Sequence, residues 1–437
     1  MQNIEDIRNP EFRFYARRYA DIESRVIDTI ESYGIEFDRD DGVAAAQCLA
    51  LKAALAAKGA VISNSGHSVH VNWLSPACVA CRTGEGSYTT FASLKCHRDC
   101  YFCFNPNQEH YKFYQDHIRN LRRDAAAICE SETPLKYVAV TGGEPLMHKA
   151  ETVSFFGEIH RRCPSTHTRL YTTGDHFGRS TAVELQQSGL KEIRFSIKID
   201  DPPDRQRRTL DRIALAKEYI PAVMVEMPVE PGSLLAMEHL FDEFERIGLD
   251  GINLLELCFP LTNAPAFRAR GLLLKYPPYE VFYNYWYAGG LAIAGSEELC
   301  LTLMLRALEK RQRFGMHYCS LANKHTGQVF QQNENAEAGP LMHRSQRDFF
   351  FKSAKIFGAG AVRVTRNILQ KEGWPFRMDD QQSSIEFDPK AICALRNPDQ
   401  EVCVAYFVAE EDETGQSVLV EVKLHRTTPG TFSRGDL

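Results

Sequence analysis

The sequence predicts an α/β protein: a partial (β/α)6 barrel with a helical N-terminal preface and a small α+β C-terminal appendage. Two observations carry this. From residue 87 to residue 257, short apolar or β-branched runs alternate with loop and helical segments six times over. Parallel strands joined by crossover helices give that pattern. After Phe259-Pro-Leu261 the alternation stops, and a Pro277-Pro278 pair and an aromatic run over 279–287 take its place.

In chain order, 12–32 carries apolar residues at helical spacing and 42–59 is alanine-rich, so both are expected helices. Short strands and loops follow over 64–93. The barrel strands are expected at 88–94, 137–141, 168–173, 192–199, 222–228 and 251–257, with helices at 115–128, 151–161, 181–187 and 235–246. Beyond the barrel, a helix is expected over 297–313. The appendage is expected to contain strands at 361–366, 402–408 and 418–425, a helix at 389–396 and a solvated hairpin turn at Glu410-Glu-Asp-Glu413. The expected divisions are 1–75 for the preface, 76–262 for the barrel, 263–339 for a helical extension and 340–437 for the appendage. At helical spacing, the aromatic run 282–287 is expected to be core.

A chain of 437 residues with 44% hydrophobic and 25% charged residues has an ordinary globular composition. Its net charge of -6 argues against general nucleic-acid or anionic-membrane binding. The beginning, Met1 to Arg8, is charged and lacks a signal-peptide core, and the most apolar late stretch, 281–295, is too short and interrupted for a membrane span. Thirteen cysteines in such a chain point to reduced thiols and metal ligation in a cytoplasmic protein.

The chemistry concentrates in Lys95-Cys-His-Arg-Asp-Cys-Tyr-Phe-Cys-Phe104. Cys96, Cys100 and Cys103 are packed along one loop, as iron–sulfur ligands are. Zinc would more usually take four ligands in paired spacing. Downstream, Thr141-Gly-Gly-Glu-Pro145 follows an apolar strand directly, at the carboxyl end where α/β folds place their ligands. The cysteine loop, with Phe102 before its last cysteine, resembles the cluster loop of the radical SAM superfamily. Gly142, Gly143, Glu144 and Pro145 resemble the motif with which that family holds the methionine amino group. The resemblance implies a [4Fe–4S] cluster whose fourth iron is chelated by the amino and carboxylate groups of S-adenosyl-L-methionine.

Further cofactor contacts are expected at the strand ends. Thr172 and Thr173 could bond the methionine or ribose. Ser196 and Lys198 share one face of the fourth strand, and Lys198 suits a carboxylate or pairs with a nearby acid such as Glu144. Glu226 and Glu256 stand inside apolar strands, so each is a site residue or an ion-pair partner.

Cys78 and Cys81 form a Cys-x2-Cys pair upstream, and Cys319 follows the helix expected at 297–313. These features resemble a poorly characterised radical SAM group related to pyruvate formate-lyase activating enzymes. The three thiols could hold an auxiliary [4Fe–4S] cluster, or zinc with His317 or His325, or pack as ordinary thiols. Cys319 could instead be a catalytic hydrogen donor. The resemblance implies flavodoxin or ferredoxin as reductant and a deoxyadenosyl radical that abstracts hydrogen. A peptide, a small molecule and a glycyl-radical enzyme compete as substrate, and a non-catalytic metal-binding scaffold is the contrasting class.

Overall fold

Valine, isoleucine and leucine recur in the runs that become strands, because branched side chains pack well on a pleated, doubly covered surface. In the computed structural model, which describes residues 4–39, 42–283 and 290–437, these runs build one nine-stranded sheet. Its strands are β1 (Val61–Ser63), β2 (Ser68–Val71), β3 (Ser87–Phe91), β4 (Tyr137–Thr141), β5 (His167–Thr172), β6 (Glu192–Phe195), β7 (Ala222–Val229), β8 (Gly251–Glu256) and β9 (Gly315–Cys319). The spatial order is β1-β2-β9-β8-β7-β6-β5-β4-β3. Strands β3 to β9 are parallel neighbours in chain order, and β2 pairs antiparallel to β9.

The order never reverses, so the sheet has no topological switch point of the doubly wound kind. Consecutive parallel strands, each followed by a helix, are the wiring of an incomplete (β/α) barrel. Six such units are present, and β9 adds a seventh parallel strand that the sequence pattern does not announce. The helices of these units are Leu121–Glu130, Lys149–Arg162, Arg179–Gln187, Pro203–Ala216, Leu234–Ile247 and Ser296–Glu309. The predicted helix over 115–128 is broken in two, because the Asn120 side chain accepts from the Arg123 amide and starts a new helix there. Leu170, Ile193, Val223, Val225 and Ile252 are fully buried between sheet and helices. Each such side chain contributes about 1.5–3 kcal/mol of burial.

The chain divides into two units differently from the expected boundaries. One unit is Ile35–Pro278 with Tyr287–Lys324, and the other is Met1–Gly34, Tyr279–Trp286 and His325–Leu437. The expected preface is therefore split. Strands β1 and β2 take 61–71 into the large sheet, whereas helix Pro10–Glu31 belongs to the second unit. There Tyr15 and Tyr19 both donate to Glu421, and Phe12 stacks on Phe357 at 5.3 Å.

The second unit holds a six-stranded antiparallel sheet that includes Val402–Glu411 and Ser417–Thr427, close to expectation. The strand expected at 361–366 is instead part of helix Ala359–Glu372. Val362, Thr365 and Leu369 make its buried stripe, and Gly373, at φ 75°, closes it in the left-handed conformation. Of the aromatic run, residues 284–287 lie outside the described residues. Cys129 and Cys163 stand side by side, Cα 6.1 Å apart.

Candidate metal and cofactor site

The cysteine loop leaves β3 and runs over the carboxyl end of the parallel sheet. Cys96 is exposed, while Cys100 and Cys103 are half-buried. A tight turn, Cys103 N–H to Cys100 O at 3.0 Å, brings the last two together, and the Cys96 sulfur accepts from the Arg98 amide at 3.4 Å. Burial raises all three thiol pKa values, and the neighbouring thiols add to this at Cys96 and Cys100. Cys100 is pushed up to about 11. Thiols that oppose one another's ionisation are those a cationic iron core would relieve. Among the described residues no three Cys, His, Asp or Glu side chains converge on a single ion position. A cubane takes each thiolate on a separate iron, so three sulfurs spread along one loop fit the cluster.

Asp175, just past β5, pins the loop. Its carboxylate accepts from His97 Nε2 at 2.6 Å, Arg98 Nε at 2.7 Å and Arg212 Nη1 at 3.0 Å. Burial alone would raise this carboxyl, but the hydrogen bonds from His97 and Arg98 outweigh it and hold the pKa at about 2. Arg98 also grips Asp201 at 2.8 and 3.0 Å. No sequence motif marked Asp175 or Asp201, because each meets the loop only through tertiary contact.

The Gly-Gly-Glu-Pro turn packs directly beneath the loop. A Cβ on Gly143 would stand 2.0 Å from the Lys95 carbonyl oxygen, and one on Gly142 would stand 2.5 Å from the Phe91 Cβ. Gly142 also has φ 98°, the region glycine favours. The close approach lets Gly143 N–H reach Ser93 O at 3.1 Å and Glu144 N–H reach Lys95 O at 2.9 Å. The Gly142 carbonyl accepts from Asn105 Nδ2 at 2.6 Å. Glu144 is buried and fully engaged: it accepts from Thr172 Oγ1, from Thr173 N and Oγ1, each at 2.7 Å, and from Leu146 N at 3.0 Å. Thr172 and Thr173 thus hold Glu144 in this structure. Pro145 starts the short turn that leads into helix Lys149–Arg162.

A small crevice opens at the ends of β6, β7 and β8, lined by Phe102, Lys198, Asp200, Pro228 and Glu230 among others. Lys198 Nζ lies 3.7 Å from Asp200 Oδ1, so its partner is Asp200 and not Glu144. Ser196 is exposed on the same segment. Tyr101 closes one wall, donating to Glu230 at 2.6 Å beneath the Arg270 guanidinium, 3.9 Å above its ring.

Glu226 and Glu256 take the ion-pair role. Glu256 accepts from Lys275 at 3.2 Å and from the Leu321 amide at 2.8 Å. Glu226 sits within a polar layer on one face of the sheet. It accepts from Arg194 at 2.6 Å and Asn253 at 2.7 Å. Arg194 also meets Glu192 at 2.6 Å, and Glu192 accepts from Ser75 and His167. Cys78 reaches the same layer, 3.3 Å from Arg194 Nη2 and 3.4 Å from Asn253 Nδ2. Cys319 ends β9 and is buried, outside the residues that line the crevice.

Comparison with known proteins bears on this geometry. The profile of the radical SAM superfamily matches residues 92–244. A Methanocaldococcus jannaschii protein, provisionally named a glycyl-radical enzyme activating enzyme, is 28% identical over 246 residues, 53% of this chain and 60% of that protein. The chain therefore spans about three fifths of the curated relative's length. Among solved structures, Streptococcus suis SuiB bound to the precursor peptide SuiA aligns with a TM-score of 0.41 and 13% identity, covering 58% of this chain and 53% of that one. Escherichia coli coproporphyrinogen III oxidase aligns at 0.34 and 10% identity, covering 62% and 63%. The profile spans the cysteine loop, the Gly142–Pro145 turn and strands β4 to β7, the elements that assemble the site. Over residues 92–244 the chain is similar to the radical SAM superfamily.

Proposed function

We propose that the chain is an enzyme that binds S-adenosylmethionine beside a [4Fe–4S] cluster held by Cys96, Cys100 and Cys103. Such a cluster, once reduced, would supply the electron for cleaving the bound sulfonium to methionine and a 5′-deoxyadenosyl radical that could take hydrogen from a substrate. The observation that carries the reading is the seating of Gly142-Gly143 against the cysteine loop, where any side chain would collide with it.

The chain's own residues have defined parts. Asp175 and Asp201 fix the loop through Arg98. Glu144, held by four donors, fixes the end of β5 relative to the turn. Lys198, in the crevice beside Phe102, offers a cation to the methionine carboxylate, and the exposed Ser196 offers a hydroxyl. Tyr101, Glu230 and Arg270 wall the crevice and limit water there. Flavodoxin or ferredoxin would deliver the electron, and a peptide or small molecule would be the substrate. The name of the archaeal relative favours a second reading, in which the hydrogen comes from a backbone glycine of a partner enzyme. A stable glycyl radical on that partner would distinguish it.

The test is the electron paramagnetic resonance spectrum of the reduced, reconstituted protein. S-adenosylmethionine should alter the cluster signal, and Lys198→Ala should raise the concentration needed about tenfold or more, the loss of one charge-assisted contact. A signal unchanged by saturating S-adenosylmethionine would sink the proposal.

A further inference from the structure

Away from the cofactor crevice, the parallel sheet carries a second group of thiols. Residues 75–81 lie against the sheet: Ser75 donates to Glu192 at 2.7 Å, and Cys78 touches both Arg194 on β6 and Asn253 on β8. Asn253 is in register with His317 on β9, and Cys319 lies two residues further along, on the same face. Two residues of strand span about 7 Å. This places Cys319 about two residues along the same face from the Asn253 that Cys78 touches. Cys81 is one helical turn from Cys78, its amide bonded to the Cys78 carbonyl at 3.3 Å.

The electrostatics of this region are unbalanced in one direction. Arg194 is answered by Glu192 and Glu226. Arg169, on β5, is buried with 8% exposure, its Nε has no hydrogen-bond partner, and no ion pair to it is present among the described residues. Its guanidinium lies over the Tyr171 ring at 5.9 Å. A buried guanidinium without a counter-ion costs several kcal/mol. Its charge, like that of Lys324, bears on Cys81. A cation in this position fits a group of net negative charge at the thiols, which an iron–sulfur core with thiolate ligands is.

His317 does not complete a zinc site. Asn253 Oδ1 can only accept, so it takes the Nδ1 proton of His317 at 3.0 Å, and Nε2 accepts from Ser68 at 2.9 Å. Both ring nitrogens are thereby engaged.

We propose that Cys78, Cys81 and Cys319 bind a second iron–sulfur cluster, separate from that of the 96–103 loop, with Arg169 as its counter-charge. Three protein thiols leave one iron open for a non-protein ligand. The inference does not rest on S-adenosylmethionine chemistry at the first site.

The experiment is iron, sulfide and zinc per chain after anaerobic reconstitution, in three forms of the protein. The unmutated chain should hold about eight irons, and both the Cys78→Ala/Cys81→Ala form and the Cys96→Ala/Cys100→Ala/Cys103→Ala form about four. The second form also guards against misfolding of the first, since it leaves the inner thiols untouched. About four irons in the unmutated chain, none in the triple variant with an unchanged circular dichroism spectrum, would overturn the proposal. So would one zinc per chain that disappears with Cys78 and Cys81. A Cys78→Ala/Cys81→Ala form devoid of iron would count against the first site instead, so the two failures are distinguishable.

Discussion

Gly143 has the least freedom of any residue at the site. The Lys95 carbonyl occupies the place where its Cβ would be, so Gly143→Ala must push the cysteine loop off the turn. The expected cost is about 1–3 kcal/mol, the usual range for overpacking, together with loss of iron from the reconstituted protein, measured by thermal unfolding and metal analysis. Asp175 is the second decisive residue. Asp175→Asn leaves His97, Arg98 and Arg212 short of a shared acceptor and should cost about 1–3 kcal/mol. It should also shift the cluster reduction potential, which follows nearby charge and hydrogen bonding. An unshifted potential would show that the loop is held by other means. The two residues differ in how legible they were. Gly142-Gly143 sits in a contiguous motif after an apolar strand, so local sequence suffices. Asp175 is far from the loop in sequence and nothing local marks it.

At the scale of elements, the same split between local and distant signals decides which strands and helices could be anticipated. The six runs from β3 to β8 are apolar enough to declare themselves. Strand β9, Gly-Met-His-Tyr-Cys, holds no β-branched residue, and it is a strand because β8 and β2 both pair with it. Over 361–366, Ala-Val-Arg-Val-Thr-Arg alternates like a strand, but Gly358 and Gly373 bracket a helix whose buried stripe extends to Leu369. The pairing of β5, β6 and β7 also concentrates charge: Glu192, Arg194 and Glu226 come from β6 and β7. Burial opposes ionisation of Glu192, but Arg194, His167 and Ser75 overcome it and lower its pKa to about 2. A carboxyl depressed on folding contributes stability that is fully present above its unfolded value and lost as pH falls towards the folded one. Stability should therefore fall as pH drops from about 4.5 towards 2. Glu192→Gln should flatten that limb and cost about 3–5 kcal/mol at neutral pH, the price of breaking a buried pair. Urea midpoints at pH 3 and pH 6 in both proteins would check it.

For the molecule as a whole, the chain's division into two units follows side chains that the helical pattern alone did not rank. Helix Pro10–Glu31 was legible as a helix, but its destination was not. Tyr15 and Tyr19 reach Glu421, which also pairs with Lys355. Glu421→Ala strands Lys355 in a buried position and should lower stability by about 3–5 kcal/mol, with circular dichroism melting as the readout and iron content unaffected. No helix among the described residues is long and apolar enough to cross a membrane. In the other unit, the loop of Cys96, Cys100 and Cys103 is proposed to hold the cluster for reductive S-adenosylmethionine cleavage. The most direct measurement is 5′-deoxyadenosine formed from S-adenosylmethionine under anaerobic dithionite, with the reconstituted chain and its Cys96→Ala/Cys100→Ala/Cys103→Ala variant compared. Equal amounts of 5′-deoxyadenosine and methionine are expected from the former and none from the variant. A chain with its cluster intact that yields no 5′-deoxyadenosine, or a variant that yields as much as the unmutated chain, would contradict the proposal.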